Sequence, residues 1–333
     1  MPKISVIIPN YNRESLIGET ISNLLAQTLP PYEIIVVDDG STDKSVEAIR
    51  SFGEKVKLIR QPNQGPGAAR NAGLRMAAGE FIQFQDSDDL FSLNKLEAQA
   101  KLLEQTGADI AFSPWVKLNI QGRSASLENQ VLQQAMPSDM LSLPCWWLRG
   151  WSTVFQSLLF RRSFLKSVGD YRTDLKFGED GELFFRAITT FPKTAFTTEA
   201  LTVYRLHNIN KLTQNEGASQ AQRAADWARC LRCIIERSKS CGLKTDLLTR
   251  SIFLSGIRKH LRYLKEPSGE ARELSDYAGQ MPAVWLAFIE TWLRLAEQLR
   301  LRARGSRWIS GYEAGPLSDN QRALIQQLGF QLS

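Results

Sequence analysis

Phe81-Ile82-Gln83-Phe84-Gln85-Asp86-Ser87-Asp88-Asp89-Leu90 decides how the rest of the chain is read. Apolar and polar residues alternate from Phe81 to Gln85, the pattern of a short strand, and the strand runs straight into three carboxylates. If the backbone stays extended past Gln85, Asp86 and Asp88 lie two residues apart and point the same way. Two convergent carboxylates with small Ser87 between them suit a hard divalent cation that also carries phosphate oxygens. A structural role is harder to supply, because adjacent negative charges repel and none can be buried unpaired without cost. Taken alone, the stretch also reads as a solvated acidic turn.

Towards the N-terminus the same logic repeats. Ile4-Ser5-Val6-Ile7-Ile8, closed by Pro9, and Glu33-Ile34-Ile35-Val36-Val37 are continuous apolar runs that suit strands buried on both faces. Val56 to Ile59 reads as a third strand, which makes the Phe81 stretch the fourth. Between them lie helical patterns: a stripe of Ile17, Ile21, Leu24 and Leu25 stopped by Pro30-Pro31, and a short helix with Val46 and Ile49 that Asp43 is placed to cap. A third helix spans residues 68–78, with Gly79 as its stop. Strands alternating with helices mean βαβ units and a largely parallel sheet, in which ligands gather at the carboxyl ends of the strands. The first, second and fourth strands all end in polar or acidic residues.

Beyond the acidic stretch, Ser92 is placed to cap a helix with Leu96, Ala100 and Leu103 on one face, and residues 109–115 read as a strand. Residues 119–139 lose all periodicity and read as a loop or lid. Trp146, Trp147 and Trp151 cluster before an apolar run, Val154 to Phe160. Glu179-Asp180 opens a helical face, and a strand from Leu201 to Leu206 leads to His207.

The charge is unevenly placed. The chain carries a net +6, yet residues 218–333 hold 18 Lys and Arg against 11 Asp and Glu, so the basic character belongs to the C-terminal third. There Trp285, Phe288, Ile289, Trp292, Leu295 and Leu299 form a helical stripe followed by Arg300, Arg302, Arg304 and Arg307. That pattern leaves two readings open, an interfacial helix drawn to anionic lipid and a helix packed on the catalytic part, with packing preferred. No apolar run reaches the length of a membrane span, and Met1-Pro2-Lys3-Ile4 enters a strand pattern at once, so neither a leader nor a span is expected. Four cysteines give no disulfide framework, which points to a reducing cytoplasm. Cys230-x-x-Cys233 with Cys241 lacks a suitably spaced fourth zinc ligand, and buried thiols are the better reading. The tryptophans of the basic region follow a helical face, so a nucleic-acid role is not expected.

Five motifs now stand in order: Pro9-Asn10-Tyr11-Asn12-Arg13, Val37-Asp38-Asp39-Gly40-Ser41, Gly67-Ala68-Ala69-Arg70-Asn71-Ala72-Gly73, Asp86-Ser87-Asp88-Asp89 and Gly178-Glu179-Asp180. Together they closely resemble the family 2 glycosyltransferases, and the resemblance covers residues 3–210. It implies a GT-A fold, an α/β architecture with a Rossmann-like, mostly parallel sheet flanked by helices, here with a helical C-terminal extension. Residues 1–110 become the nucleotide-sugar half, 111–217 the acceptor half and 218–333 the basic helical region. It further implies transfer of a sugar, with inversion, from a nucleoside diphosphate donor, UDP-linked by expectation, to an acceptor hydroxyl. Asp86 and Asp88 resemble the DxD acids that hold Mn²⁺ or Mg²⁺ on the donor diphosphate, with His207 as a further metal or diphosphate contact. Nucleotide-sugar contacts fall on Pro9, Tyr11, Arg13, Asp38, Asp39, Arg70, Asp86 and Ser87. Asp180 takes the place of the catalytic base, which must accept the acceptor's proton as its oxygen attacks. A helix N-terminus favours acids anyway, and Glu182 is a close neighbour of Asp180.

By family analogy the acceptor is a glycan, a lipid-linked saccharide or a protein, in cell-surface polysaccharide or glycolipid synthesis. The setting is cytoplasmic, with peripheral membrane contact through the C-terminal helices left open. The Trp146 group is offered as an acceptor contact, with core packing as the commoner fate. Three rival readings stand beside this resemblance: a non-catalytic sugar-binding relative, a nucleotide-dependent oxidoreductase and a sugar nucleotidyltransferase. For the second, Gly65-Pro66-Gly67 begins a glycine fingerprint, but Arg70 stands at its third small position. For the third, Pro9-Asn10-Tyr11-Asn12 is unlike the glycine-rich basic loop that such an enzyme needs.

Overall fold

A computed structural model describes residues 1–207 except 129, 138, 140 and 152, then 220–241, 254, 291, 292, 295, 298, 299, 301–303, 307–309 and 312–332. The first half alternates as its sequence predicts: β1 (Ile4–Asn10), α1 (Ile17–Leu25), β2 (Glu33–Asp38), α2 (Ser45–Arg50), β3 (Lys57–Arg60), α3 (Pro66–Met76) and β4 (Phe81–Phe84). Then come β5 (Leu90–Phe91), α4 (Lys95–Thr106), β6 (Ile110–Phe112), β7 (Trp115–Gln121), β8 (Ser124–Leu127), β9 (Val131–Leu132) and α5 (Leu143–Leu148). The chain continues through β10 (Leu159–Arg161), α6 (Arg162–Val168), α7 (Glu179–Ile188), β11 (Thr194–Phe196), β12 (Thr202–Leu206) and α8 (Gln220–Ser240). Its C-terminal elements are β13 (Arg307–Ile309), β14 (Tyr312–Gly315), α9 (Asp319–Gln327) and β15 (Gln331–Leu332).

Two sheets result. The first has the order β11-β6-β10-β4-β1-β2-β3, with β4, β1, β2 and β3 all parallel and β10 the antiparallel insertion between β4 and β6. β1 and β2 are buried along almost their whole length, which is why neither alternates in sequence. β3 is the edge and is half-exposed. Helices cover both faces. Ile7, Val37, Ile82 and Phe84 pack with α3, α5, α7 and α8 on one side, and Val6, Ile8, Val36 and Phe81 with α1 and α4 on the other. Gly73 lets α3 settle onto β1, since a Cβ there would meet Ile7 Cγ2 at 2.4 Å.

The second sheet runs β13-β14-β9-β7-β12-β5, with β8 and β15 paired to one side. It corrects two sequence expectations. Residues 109–115 are not one strand, because β6 ends in the first sheet and β7 starts in the second. Residues 119–139 are not a structureless lid, because β7, β8 and β9 pair there, with registers such as Ile120↔Ala125 and Trp115↔Leu132. Their polar outer faces erased the periodicity. Ser92 is not the helix cap; its hydroxyl accepts from Leu201 N at 3.0 Å and so fastens β12. Asp43 does serve α2, accepting from Ser45 N at 2.9 Å. Gly79 lies three residues past the helix end at Met76 and is explained by close approach, since a Cβ there would meet Ser5 N at 2.6 Å.

The region after residue 217 is fastened to the rest. α8 buries Ala228, Cys230, Leu231 and Ile234 in the core that holds α7, and β14 pairs with β9 through Ala314↔Leu132. All four cysteines are free thiols. No described helix is long and apolar enough to cross a membrane. Trp285, Phe288, Ile289, Arg300, Arg304 and His260 lie outside the described residues. Trp292, Leu295 and Leu299 are each more than half exposed, so at these three positions the stripe is not packed away.

Candidate active site

The carboxyl ends of β1, β2 and β4 open onto a cleft of ≈ 300 Å³ closed on its far side by the N-terminus of α7. Pro9, Tyr11, Arg13, Asp39, Arg70, Asp86, Ser87, Asp88 and Asp180, each expected from sequence, all line it. Asp38 does not line it. Fully buried, it accepts from Asn10 Nδ2 at 3.1 Å and from Ser41 N at 3.3 Å, and so anchors the loop that carries Tyr11. Asp39 does line the cleft, but its oxygens already hold the loop before α3, through Gln61 Nε2 at 2.7 Å, Gln64 N at 2.9 Å and Gly65 N at 2.8 Å. Tyr11 is 40 % exposed, an aromatic face open to a ligand.

Arg70, only 5 % exposed, is the electrostatic centre of the cleft. Its Nη2 donates to Asp86 Oδ1 at 3.0 Å, and its Nη1 lies 3.2 Å from Glu179 Oε1 and 3.4 Å from Asp180 Oδ1. The guanidinium also sits 5.4 Å from the centre of the Tyr171 ring. One cation therefore serves three carboxylates that come from two distant parts of the chain. The imbalance shows in their acidity. Burial pushes Asp86 up to about 6, Arg70 opposes this, and the charges of Asp180 and Asp88 add to it. Burial and then the Asp180 charge push Glu179 up to about 8 against the pull of Arg70. Asp180 Oδ1 makes no hydrogen bond despite the neighbouring guanidinium.

Asp88 is held differently. Its Oδ2 accepts from Arg13 Nε at 3.0 Å and lies 3.0 Å from His207 Nε2. Burial alone would raise it, but the His207 hydrogen bond and the Arg13 charge bring it below the usual carboxylate value. His207 does not line the cleft; it reaches the site through Asp88. The backbone turns after Phe84, so Asp86 and Asp88 face one cleft with separate partners. Three contributors escaped the sequence reading. Asp89 is buried beneath the acidic turn, accepting from Arg205 N at 2.7 Å and from Gln156 Nε2. Arg205 ties that turn to α1, bonding the Asp88 carbonyl, Glu19 and Thr20 Oγ1. Tyr204 lines the cleft. The signal for Tyr204 and Arg205 was their place shortly before His207, and for Asp89 its place in the acidic turn. The tryptophans do not reach the cleft: Trp146, Trp147 and Trp151 are buried in the core, with Trp147 5.1 Å from the Phe185 ring. This removes the acceptor-contact reading for them.

The sequence model described as "Glycosyl transferase family 2" matches residues 5–169. An uncharacterized glycosyltransferase of Nostoc sp. is 32 % identical over 234 residues, 68 % of this chain and 71 % of the relative. The chain belongs to the family 2 glycosyltransferases. Other family members are longer; an uncharacterized glycosyltransferase of Rickettsia conorii is 38 % identical, but the match spans only 27 % of its length. Among solved structures, S. aureus TarS 1–349 in complex with UDP has a TM-score of 0.60 at 22 % identity, covering 81 % of this chain and 77 % of TarS. A Pyrobaculum calidifontis mannosyltransferase in complex with GDP-Man and Mn²⁺ has a TM-score of 0.52 at 18 % identity, covering 98 % and 86 %. At such identities the likeness speaks for the fold, and the fold of this glycosyltransferase is GT-A-like. The matched family region ends before α7, so Glu179 and Asp180 lie outside it.

Proposed function

We propose that this glycosyltransferase moves a sugar from a nucleoside diphosphate-sugar to an acceptor hydroxyl with inversion and with the help of a divalent cation. The observation that carries the reading is the meeting of Asp86, Asp88 and Asp180 in one cleft, with an Asp180 oxygen left without a hydrogen bond. A single displacement needs one base, and Asp180 is placed to take the acceptor's proton. Tyr11 offers its face to the nucleobase, and Pro9, Ser87 and Arg13 bound the path of the nucleotide and diphosphate. Asp38 and Asp39 act by shaping the base end of the cleft.

The donor set fits Mn²⁺ or Mg²⁺. Asp86 and Asp88 offer hard carboxylate oxygens, and a cation would relieve Asp86, which burial and then the Asp180 and Asp88 charges push up to about 6. No group of three or more His, Cys, Asp or Glu among the described residues is gathered to hold a metal unaided, which leaves room for diphosphate oxygens. When bound, the cation offsets charge that grows on the departing nucleoside diphosphate. His207 steadies Asp88 for that task.

TarS was solved with UDP and with UDP-GlcNAc, which supports a uridine donor; the GDP-Man complex of the mannosyltransferase keeps a guanosine donor as the second reading. Residues 1–110 form the donor half and 111–217 the acceptor half on this reading, with 218–333 supporting them. The acceptor is a glycan, lipid-linked saccharide or protein in cell-surface polysaccharide or glycolipid synthesis. The work is done on the cytoplasmic side, and exposed Trp292, Leu295 and Leu299 in a basic region support peripheral lipid contact. The test is a panel of UDP-, GDP- and dTDP-sugars, following nucleotide release with and without Mn²⁺. No metal-stimulated release from any member would overturn the proposal.

A further inference from the structure

The family match ends at residue 169, yet the segment that delivers Asp180 is held from outside it. Residues 174–178 form the approach to α7, and α8 grips this approach at three alternate positions. Arg229 Nη1 donates to the Asp174 carbonyl at 3.0 Å, Lys176 N donates to Asp226 Oδ2 at 3.2 Å, and Cys230 Sγ lies 3.7 Å from the Gly178 carbonyl. Gly178 sits at φ 80°, immediately before Glu179 and Asp180. A Cβ there would come within 3.1 Å of Trp227 Cε3, so α8 also fixes how close the turn may lie.

Asp226 is the telling residue. It has no exposed surface, and its Oδ1 lies 3.5 Å from Arg229 Nη1, the same group that bonds Asp174. A fully buried carboxylate beside a partly exposed guanidinium is a poor device for simple docking, since an apolar residue there would avoid the cost of burying a charge. What it adds is direction, because a buried carboxylate that accepts a backbone N–H of the turn, with a guanidinium beside it that bonds a second carbonyl of the same turn, fixes the turn in a single place. At the opposite end of the same helix pair, the contact is ordinary: Arg237 Nε donates to Thr189 Oγ1 at 3.0 Å.

We propose that α8 is part of the catalytic apparatus, and that Asp226 is a positioning residue that sets the start of α7 and thereby the Asp180 carboxylate. This rests on the reading of Asp180 as the base. Placement errors near 1 Å, even from remote changes, cost about 10²-fold in rate. Asp226→Ala in the full chain should therefore lower turnover about 10–100-fold at saturating donor, while the donor KM stays within about threefold, since that subsite is built on β1, β2 and β4. Asp226→Asn keeps an acceptor for Lys176 N and should recover part of the loss. It also serves if Asp226→Ala fails to fold.

The experiment pairs nucleotide release from the donor panel with amide hydrogen exchange on Asp226→Ala, Asp226→Asn, Arg237→Ala and Asp180→Asn. The expected result is faster exchange confined to residues 174–182 in the Asp226 variants, with the turnover loss above, and near-normal turnover in Arg237→Ala. Unchanged exchange at residues 174–182, or an equal loss in Arg237→Ala, overturns the proposal. If Asp180→Asn alone retains turnover, it is the base assignment that fails, and the exchange result still decides the positioning role.

Discussion

Arg70 Nη1 stands 3.4 Å from Asp180 Oδ1, and no hydrogen bond engages that oxygen. The guanidinium lies close enough to orient the carboxylate, an arrangement that suits the role of base proposed for Asp180. On that proposal Asp180→Asn removes the proton acceptor, and with it a charge that now presses on Asp86 and Glu179. Turnover should fall roughly 10²–10⁴-fold while nucleotide affinity is retained. Steady-state rates with titration calorimetry of the nucleotide check both halves, and near-normal turnover removes Asp180 from the role.

Glu179 gives a pH signature whose sign differs from ordinary acid denaturation. Burial, with the Asp180 charge, raises its pKa from 4.5 to about 8 in the folded protein. Across that window the native state binds a proton that the unfolded chain has released, so this group's contribution to stability improves as pH falls and is lost as pH rises through 8. Lys95 acts with the opposite sign, since burial lowers it well below its ordinary value. Comparing Glu179→Gln with the parent cancels Lys95. In chelator, the variant should melt above the parent near pH 9, by a margin that shrinks as pH falls and closes only below about pH 4.5, by linkage. A difference independent of pH sinks this account.

His207 should matter to metal affinity and little to the metal-free nucleotide. Its hydrogen bond to Asp88 helps keep that carboxylate ionised against burial. His207→Ala should weaken Mn²⁺ binding about 10–100-fold, the usual cost of losing a ligand's supporting partner. Mn²⁺ titration followed by electron paramagnetic resonance reads this directly, and an unchanged affinity would detach His207 from the site.

The exposed apolar residues of the C-terminal third predict binding to anionic vesicles. Burial of Trp292, Leu295 and Leu299 in the headgroup region should bring the full chain down with vesicles containing phosphatidylglycerol, less so at high salt. Replacing all three with Ser should leave the protein in the supernatant without loss of nucleotide release. Co-sedimentation that is indifferent to the replacement speaks for charge alone.

Much of this molecule was legible because its first half obeys simple rules. The buried strands around Ile7 and Val36 announced themselves as unbroken apolar runs, and the acids fell at their carboxyl ends as parallel sheets require. The second sheet was hidden, because β8 and β9 are only four and two residues long, too short for a period to show. Sequence placed the acids together but was silent on their pairing. Nothing local to Arg70 announces that it will meet Glu179, 109 residues away, or that Asp38 will turn inward to bond Asn10. The Trp146 group misled for a related reason. Aromatic rings near an acceptor site and aromatic rings in a core look alike until their neighbours are known.

Ala314 of β14 packs with Trp115 and Leu132, and Tyr204 of the cleft rests against that same group. During synthesis the donor half emerges first and has all of its strands early. This wall of the cleft, however, waits for a strand encoded almost two hundred codons downstream of its partner β9. A ribosome-bound chain is thus without this wall of the cleft until translation has passed residue 315, a built-in delay between making the first sheet and completing the cleft.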